Sequence, residues 1–310
     1  MKKLDLKAHA KINLALDILG TRPDGYHEIS TVMHKIALHD KICIKWIPSN
    51  SQGAKTDVTV EIGCNKAYLP RDGKNLAYKA ASLVISRFGI ARQFGAGKVR
   101  IDIKKQIPVG AGLGGGSADC AAVLCGLSEI WGLDLGAAEL CGLGAELGSD
   151  VPFCVMAQFG TVCAVARGTG TALSSIAGLR SWLVLSKPPV SVSTADVYEK
   201  FDQINVKEYE KPDIDELVAA LRVKNFNLIE KNMVNVLENV TAKAYPSVMS
   251  TKSMMIGDMS PAKAIMSGSG PTIAGFYRNK GSAEAAYVKM ARLNKETFLT
   301  KTLEGKHVKF

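Results

Sequence analysis

Hydrophobic and polar residues alternate through residues 4–18, and a period of two is typical of a β-strand. The alternation is long enough to predict one extended strand. Lys11 and Asn13 lie on the face of this strand opposite Ile12 and Leu14. For Lys11 taken alone, the simplest interpretation is a side chain that points into solvent.

Similar patterns divide the rest of the chain into further elements. Alternation predicts strands at 30–47 (two strands), 58–62, 99–103, 159–173, 182–186, 264–277 (two strands around a glycine loop) and 307–310. Helical periodicity predicts helices at 76–88, 118–131, 136–147, 213–222, 226–239, 241–252 and 281–294, with loops at 48–57, 89–98 and 199–212 and a turn at 256–258. Strands and helices alternate irregularly, so we expect an α+β fold rather than a doubly wound sheet.

A glycine-rich loop at residues 108–117 joins a predicted strand to a predicted helix, for which Ser117 is the expected N-cap. Its five glycines are Gly110, Gly112, Gly114, Gly115 and Gly116. Glycine allows a ligand to approach the backbone closely, and the free N–H groups of a helix N-terminus suit phosphate. The lysine of the P-loop pattern is absent here. We therefore predict an unusual phosphate-binding loop, with a flexible turn as the alternative.

Three further places carry candidate chemistry, each with a structural alternative. Asp150, in the segment 148–153, is either a catalytic carboxylate or the cap of a short helix. Tyr26 and His27 follow a Pro-Asp-Gly turn, where they either contact a nucleobase or anchor the turn to the core. The second glycine loop, at 268–270, either contacts phosphate or closes a tight hairpin.

Composition narrows the class of protein. The chain has 310 residues, enough for two domains, and no apolar run reaches the ~18 residues of a membrane span. No signal peptide and no zinc-binding cysteine pattern is visible, so we expect a cytoplasmic protein with reduced thiols. The formal net charge of +10 is spread without a dense basic tract, which favours an anionic small molecule over nucleic acid as the partner.

Six motifs stand in an order that resembles the GHMP kinase superfamily over nearly the whole chain. They are the segments 10–14, 22–28, 108–117, 148–153, 192–195 and 266–272. The resemblance implies a two-domain α+β fold. Residues 1–160 would form an ATP-binding domain similar to the second domain of ribosomal protein S5. Residues 161–310 would form a ferredoxin-like domain that binds the substrate.

The resemblance also implies an activity, that of a small-molecule kinase using ATP and Mg²⁺. The opening motif and the segment 22–28 are similar to the branch of the superfamily that acts on a cytidyl diphosphate substrate. That branch phosphorylates the 2-hydroxyl of a methylerythritol moiety in the non-mevalonate route to isoprenoids. The expected state of the chain is a monomer or weak homodimer, with no nucleic-acid or membrane partner.

Individual roles follow from the resemblance alone. It makes Asp150 the base for the attacking hydroxyl, and Lys11 the cation that keeps this base ionised and neutralises the transferred phosphoryl group. The residues expected to bind ATP are Pro108, Val109, Gly110, Ala111, Gly112, Leu113, Gly114, Gly115, Gly116 and Ser117, with Asn75 and Lys105 on the adenine side. The residues expected to bind the substrate are Asn13, Tyr26, His27, Gly268, Ser269 and Gly270, and Ser117 is also a candidate Mg²⁺ ligand.

Three rival functions stay open at this point. Another GHMP kinase, acting on homoserine, mevalonate or a sugar, lacks support from the motif at residues 24–27. A sensor without catalytic activity has no need of both Lys11 and Asp150. A basic nucleic-acid binder needs a groove-reading element, and the sequence offers none.

Overall fold

The computed structural model of the chain describes residues 1–49, 57–203 and 209–304. The chain forms two compact units, each assembled from several stretches. Unit 1 comprises Met1–Ala10, His39–Ile107 and Gly115–Phe159. Unit 2 comprises Lys11–Leu38, Pro108–Gly114 and Gly160–Phe310. A division of function into ATP and substrate domains at residue 160 stays a prediction.

Strands and helices are mixed along the chain, which confirms the α+β class. The strands are β1 (Lys2–Thr21), β2 (His27–Pro48), β3 (Val58–Cys64), β4 (Gly97–Lys104), β5 (Cys163–Gly168), β6 (Ala172–Ser175), β7 (Trp182–Lys187), β8 (Lys263–Met266), β9 (Ile273–Tyr277) and β10 (Glu296–Lys301). The helices are α1 (Leu76–Arg87), α2 (Ile90–Phe94), α3 (Gly115–Trp131), α4 (Ala137–Ala145), α5 (Val151–Gln158), α6 (Thr194–Phe201), α7 (Ile214–Val223), α8 (Phe226–Asn232), α9 (Glu238–Ala244), α10 (Pro246–Met259) and α11 (Lys280–Leu293). Across the described ranges, none of the helices is long and apolar enough to cross a membrane.

Unit 1 packs helices on a small sheet. Strand β4 pairs in parallel with β3 and antiparallel with residues 41–48 of β2. Helix α3 packs against α1, α4 and α5, and it is buried on nearly every side. The sequence predicts this burial, because apolar residues surround the helix rather than forming one stripe. Helix α3 therefore lies in a packed core and begins directly after the glycine loop in the chain.

Unit 2 is built on a four-stranded antiparallel sheet with the order β10-β7-β9-β8. Helices α10 and α11 pack on this sheet. Its core includes Val184, Met255, Ile273, Tyr277 and Met290, all fully or almost fully buried. Residues 29–34 of β2 pair with β5 in the same unit. The second glycine loop joins β8 to β9, as the sequence predicts.

Several predicted boundaries are wrong. Residues 30–47 form one strand, because no glycine or proline interrupts β2 before its end. The predicted loop at 89–98 contains the short helix α2. Helix α10 continues through Gly257, where a turn was expected, since a single glycine only weakens a helix. The helix predicted at 226–239 is divided into α8 and α9.

Other predictions concern the end of the chain and two loops. Strand β10 was missed, because its buried positions, Thr297 and Thr300, are polar and three residues apart, so that no alternation of apolar residues marks the strand. The strand predicted at 307–310 lies outside the described residues. Most of the loop predicted at 48–57, and residues 204–208 of the loop predicted at 199–212, also lie outside them. The beginning of that second loop belongs to α6.

Candidate active site

The first glycine loop has backbone angles that suit glycine, as its composition predicts. Gly110, Gly112 and Gly114 have φ angles of 60°, 71° and 66°, in the left-handed region that favours glycine. Strand β1 runs beside the loop, since the backbone N–H of Lys11 donates to the carbonyl oxygen of Leu113 at 3.0 Å. The loop is therefore bonded to β1, and its binding of phosphate stays a prediction.

Lys11 is buried beside this loop, with only 4% of its surface exposed. Its Nζ donates to Oδ1 of Asn13 at 2.8 Å. A Cβ atom placed on Gly114 would lie 2.9 Å from Cγ of Lys11, so the glycine makes room for the lysine stem. The interpretation of Lys11 as a solvated side chain is wrong, because the loop packs over it.

Asn13 is fixed by hydrogen bonds from both ends of its amide. While Oδ1 accepts from Lys11, Nδ2 donates to Oγ1 of Thr31 at 2.8 Å. Thr31 in turn donates to the carbonyl oxygen of Ala15 at 2.6 Å. This chain of bonds determines which way the amide points, so Asn13 presents a defined orientation to any bound group.

Ser267 connects the two glycine loops within unit 2. Its Oγ donates to the carbonyl oxygen of Gly112 at 3.0 Å and accepts from the backbone N–H of Asn13 at 3.4 Å. A Cβ on Gly112 would lie 2.1 Å from the carbonyl oxygen of Ser267. The loops thus meet backbone to backbone, which only a glycine at position 112 permits. Ser267 was not among the predicted site residues, although it belongs to the motif at 266–272.

The second glycine loop is a tight turn, and side chains from outside the turn hydrogen-bond to its backbone. Nδ2 of Asn235 donates to the carbonyl oxygens of Met266 and Gly268, at 2.8 and 2.7 Å. Oγ1 of Thr241 donates to the carbonyl oxygen of Ser269 at 3.1 Å. Sequence reasoning missed both bracing residues, because single polar residues near helices carry no distinctive pattern. The hairpin interpretation is confirmed, and contact with substrate stays a prediction.

Tyr26 and His27 are placed differently after their turn. Tyr26 is 66% exposed, so it does not anchor the turn to the core. Nε2 of His27 lies 2.8 Å from Oδ1 of Asp202, and its ring centre lies 4.8 Å from that of Tyr198. These two neighbours come from α6 and its end, which the sequence could not bring to residue 27. A role for Tyr26 and His27 in binding a nucleobase stays a prediction.

Asp150 occupies the N-cap position of α5 in unit 1. Its side chain makes no capping hydrogen bond with that helix. Pro152 in the first turn needs no hydrogen-bond acceptor for its backbone nitrogen, which reduces the need for a cap. The side-chain capping role considered for Asp150 is therefore wrong, and the catalytic role stays a prediction.

Ser117 does not cap α3, contrary to expectation. The helix begins at Gly115, so Ser117 lies in its first turn. The two preceding glycines adopt helical angles and continue the helix toward the loop, although glycine is a weak helix former. The N–H groups of the first turn have no partner inside the helix. They and the partly exposed Ser117 hydroxyl are available where the loop ends.

The two residues predicted for the adenine side have structural partners. Oδ1 of Asn75 accepts from the backbone N–H of Ala77 at 2.9 Å, which confirms the predicted helix cap. Its Nδ2 donates to the carbonyl oxygen of Pro70 at 2.8 Å. Lys105 is buried, with its ammonium group between the carboxylates of Asp40 and Asp119. A role of Asn75 and Lys105 in ATP binding stays a prediction.

Two family models match the chain. The model of the GHMP kinases N terminal domain matches residues 75–158, and that of the GHMP kinases C terminal matches residues 216–296. The first match contains the glycine loop and Asp150, and the second contains the loop at 268–270. The matched regions therefore coincide with three of the six sequence motifs.

Two curated proteins that are similar to this chain over nearly its full length carry the same name. The 4-diphosphocytidyl-2-C-methyl-D-erythritol kinase of Alkaliphilus metalliredigens is 40% identical over 97% of this chain and 97% of its own length. That of Clostridium kluyveri is 42% identical over 96% of this chain and 99% of its own length. Similarity of this extent covers both glycine loops and leaves no large region unmatched.

Solved structures agree with this likeness. The crystal structure of a 4-(cytidine 5'-diphospho)-2C-methyl-D-erythritol kinase matches with a TM-score of 0.77 and 28% identity, over 98% of this chain and 100% of that one. A homoserine kinase from Cytophaga hutchinsonii matches with a TM-score of 0.74 at 17% identity, over 99% of this chain and 96% of that one. The second match shows a shared fold alone.

Proposed function

The chain belongs to the GHMP kinase family, and from this membership we propose how its residues carry out the reaction of its relatives. It is an ATP-dependent kinase of 4-diphosphocytidyl-2-C-methyl-D-erythritol. The enzyme phosphorylates the 2-hydroxyl of the methylerythritol moiety and releases ADP, a step in the non-mevalonate route to isopentenyl diphosphate. The observation that carries this function is the identity of about 40% over nearly the full length.

The first glycine loop is proposed to hold the phosphates of ATP. Phosphoryl transfer requires positioning and charge neutralisation more than covalent chemistry by the protein. The carbonyl oxygens of Gly112 and Leu113 are already bonded to Ser267 and Lys11. The N–H groups at the start of α3, with the positive end of the helix dipole, then offer a binding surface for an anion. This arrangement explains how the loop can work without the P-loop lysine.

Asp150 and Lys11 are the proposed catalytic residues. Asp150 would accept the proton of the attacking hydroxyl, since a positioned carboxylate can act as the general base for such a transfer. Lys11 would supply positive charge for the transferred phosphoryl group. Its buried stem fixes the position of that charge, because Gly114 packs directly against it. A fixed charge stabilises a transition state without the cost of reorganising during the reaction.

Mg²⁺ is proposed as the second cofactor, with the Ser117 hydroxyl as one ligand. In ranges 1–49, 57–203 and 209–304, no group of three or more His, Cys, Asp or Glu side chains is arranged to hold a metal ion. A partly exposed hydroxyl in the first turn of α3 fits Mg²⁺, which usually binds one or two protein oxygens together with phosphates and water. When bound, the ion would neutralise charge on the phosphates.

The substrate is proposed to contact a second set of residues in unit 2. Tyr26 and His27 would bind the cytidine end, with the exposed ring of Tyr26 available for stacking. Asn13 would bond near the reacting hydroxyl, and residues 268–270 would contact the diphosphate through backbone N–H groups. The net charge of +10 suits such an anionic substrate. We further propose a cytoplasmic monomer or weak homodimer that binds no nucleic acid.

Replacement of Asp150 by asparagine tests the proposed function. The Asp150→Asn protein should bind ATP nearly as well as the original protein and turn over at least about a hundredfold more slowly, the usual scale for a positioned base. The assay is ADP release in the presence of 4-diphosphocytidyl-2-C-methyl-D-erythritol. Asp134→Asn, at an exposed position of unit 1, serves as the control and should change nothing. Near-normal turnover by Asp150→Asn would remove this residue from catalysis.

A further inference from the structure

Three charged side chains form a buried cluster in unit 1, and two of them, Lys105 and Asp119, flank the glycine loop in sequence. Nζ of Lys105 lies 2.5 Å from Oδ2 of Asp40 and 2.8 Å from Oδ2 of Asp119. The exposed fractions are 0% for Asp40, 6% for Lys105 and 5% for Asp119. Each residue comes from a different part of the chain: Asp40 from the middle of β2, Lys105 from the position directly after β4, and Asp119 from the body of α3. The Lys105 ammonium group therefore connects β2 and α3 to the segment that follows β4.

Asp40 fixes the backbone that leads into the loop. Its Oδ1 accepts from the backbone N–H groups of Gln106 and Ile107, at 2.5 and 2.9 Å. Asn65 adds two bonds, because its Oδ1 accepts from the N–H of Lys105 at 2.7 Å and its Nδ2 donates to the carbonyl of Lys105 at 3.3 Å. The three residues before Pro108 thus have backbone groups bonded to side chains, those of Gln106 and Ile107 to the buried Asp40 and that of Lys105 to the exposed Asn65.

Asp119 connects the other side of the loop to the same lysine. It is located in α3, four residues after the helix begins at Gly115. A Cβ atom on Gly115 would lie 3.2 Å from Nζ of Lys105 and 3.0 Å from Cγ2 of Ile107. The helix start therefore packs directly on the residues that precede the loop. Through Lys105, one ion cluster joins the chain before the loop to the chain after it.

We infer that Asp40, Lys105 and Asp119 are positioning residues for ATP, because together they hold the two ends of the glycine loop at a fixed separation. The N–H groups at residues 115–117 are then oriented before the nucleotide arrives, so that little ordering remains to be done on binding. This inference rests on the proposed function, in which the loop binds the phosphates. Asp40 is wholly buried, so it acts on ATP only through the backbone and Lys105.

The electrostatics of the cluster favour a positioning role over a purely stabilising one. Burial raises the pKa of Asp119 to about 8, although the charge of Lys105 opposes this shift. Burial lowers the pKa of Lys105, but the two carboxylates outweigh it and raise the pKa above its ordinary value. Within the described part of the chain, Oδ1 of Asp119 is buried without a hydrogen-bond partner. Buried ion pairs contribute little net stability, and an unpartnered oxygen reduces it further.

Binding of a non-hydrolysable ATP analogue, AMP-PNP, tests the inference by calorimetry. Asp40→Asn and Lys105→Met should each raise the Kd of AMP-PNP at least tenfold and leave the KM of the cytidyl substrate within twofold. A purely structural cluster would affect both ligands alike. Asp40→Asn is decisive, since a wholly buried residue cannot touch the nucleotide.

Position 119 provides a second pair of variants if the first two fail to fold. Asparagine keeps the shape of the side chain and an acceptor for Lys105, and it resembles the protonated carboxyl group. Asp119→Asn should therefore keep the Kd of AMP-PNP within threefold, whereas Asp119→Leu should raise it at least tenfold. Equal Kd values for these two variants would overturn the inference.

Ile101→Ala controls for general loss of stability in unit 1. Ile101 is a fully buried residue of β4, the strand that leads to Lys105, and it belongs to the apolar core. Its truncation should lower the Tm without changing the Kd of AMP-PNP. If this variant raises the Kd as much as Lys105→Met does, the cluster has no special role.

The proposed reaction and the positioning role fail in different ways. If the original protein binds AMP-PNP but releases no ADP with the cytidyl substrate, the proposed reaction is wrong. The positioning role is wrong if the reaction proceeds and Asp40→Asn binds AMP-PNP as tightly as the original protein.

Discussion

The two glycine loops look alike in sequence, yet the fold uses them differently. Both contain glycines with positive φ, at 110, 112 and 114 in the first loop and at 268 and 270 in the second. The first loop continues into α3, whose initial N–H groups have no partner within the helix. The second closes the hairpin between β8 and β9. Glycine content predicts a tight backbone in both places, but only the element that follows distinguishes an anion site from a turn.

The loops also differ in what supports them. Side chains from outside the sheet, those of Asn235 and Thr241, bond the carbonyl oxygens of the second loop. The second loop in turn supports the first, because Ser267 donates to the carbonyl oxygen of Gly112. A series of hydrogen bonds therefore connects Asn235 through the hairpin to the proposed phosphate loop. If these bonds position the first loop, a substitution that disrupts the hairpin should also weaken the binding of ATP.

Among the substitutions that test this comparison of the two loops, the largest effect is expected where the loops touch. In Gly112→Ala, the new Cβ would lie 2.1 Å from the carbonyl oxygen of Ser267, so the backbone must shift. The φ angle of 71° adds a cost of about 1–2 kcal/mol for alanine. We expect kcat/KM for ATP to fall at least about tenfold, which corresponds to about 1.4 kcal/mol. Steady-state kinetics with ATP varied measures this.

Gly110→Ala is the matched control for that substitution. It has a similar φ of 60°, but the nearest atom to its Cβ is Oγ of Ser191 at 3.7 Å, an ordinary contact. Its effect should be limited to backbone strain, about 1 kcal/mol. Equal losses in the two variants would mean that contact between the loops is irrelevant to ATP.

The sequence predicts an element well when the interactions that form it are local in the chain, and poorly when they join distant residues. Local signals succeeded: Asn75 caps α1, and the apolar surface of α3 predicts its burial. Local signals failed where a boundary depends on distant partners. Strand β10 is one case, since its register is set by pairing with β7, more than a hundred residues earlier. Propensity and periodicity contain no information about such a partner.

The next effect is expected at Asn235, which braces the second loop. Asn235→Ala removes the donor to Met266 and Gly268 and the acceptor of the N–H of Leu237. Buried backbone groups left without partners cost about 1–3 kcal/mol. We expect the KM values of both the cytidyl substrate and ATP to rise by about fivefold, or about 1 kcal/mol.

Asn294→Ala separates this effect from a general loss of stability. Asn294 is also a buried asparagine of unit 2, and its Nδ2 donates to Ser186 and Thr251, away from both glycine loops. It should lower the Tm to a similar degree with both KM values unchanged. If Asn235→Ala raises the KM of the cytidyl substrate alone, the second loop does not position the first loop for ATP.

Prediction of the site residues from the sequence also depends on how far apart in the chain the interacting residues lie. The glycine loops, Lys11 and Asn13 are visible in the sequence because each belongs to a compact motif. Asn235 was not found, since its partners are about thirty residues away in the chain. Lys11 shows a further difficulty, because its position on an alternating strand predicts exposure, whereas contact with Gly114 buries it. Sequence pattern assigns a residue to a face, and tertiary packing decides whether that face meets solvent.

The smallest effect is expected at Ser267, the direct link between the loops. Ser267→Ala removes the bond to the carbonyl oxygen of Gly112 and the acceptor of the N–H of Asn13. One of these is long, at 3.4 Å, so the loss should be about 1 kcal/mol. The backbone contact at Gly112 remains in this variant. We therefore expect the KM of ATP to rise only two- to threefold, with Ser250→Ala on the exposed face of α10 as the inert control.

Comparison of Ser267→Ala with Gly112→Ala shows which contact between the loops positions the first loop. If Ser267→Ala is as damaging as Gly112→Ala, the hydrogen bond through Ser267 positions the phosphate loop and the steric fit is secondary. If Ser267→Ala is mild and Gly112→Ala severe, close backbone packing is the main link. We expect the second result, because the hydroxyl contributes one directional bond, whereas a misplaced Cβ displaces the whole loop. Double-mutant analysis of Ser267→Ala with Asn235→Ala would then show coupling, since both act on the same hairpin.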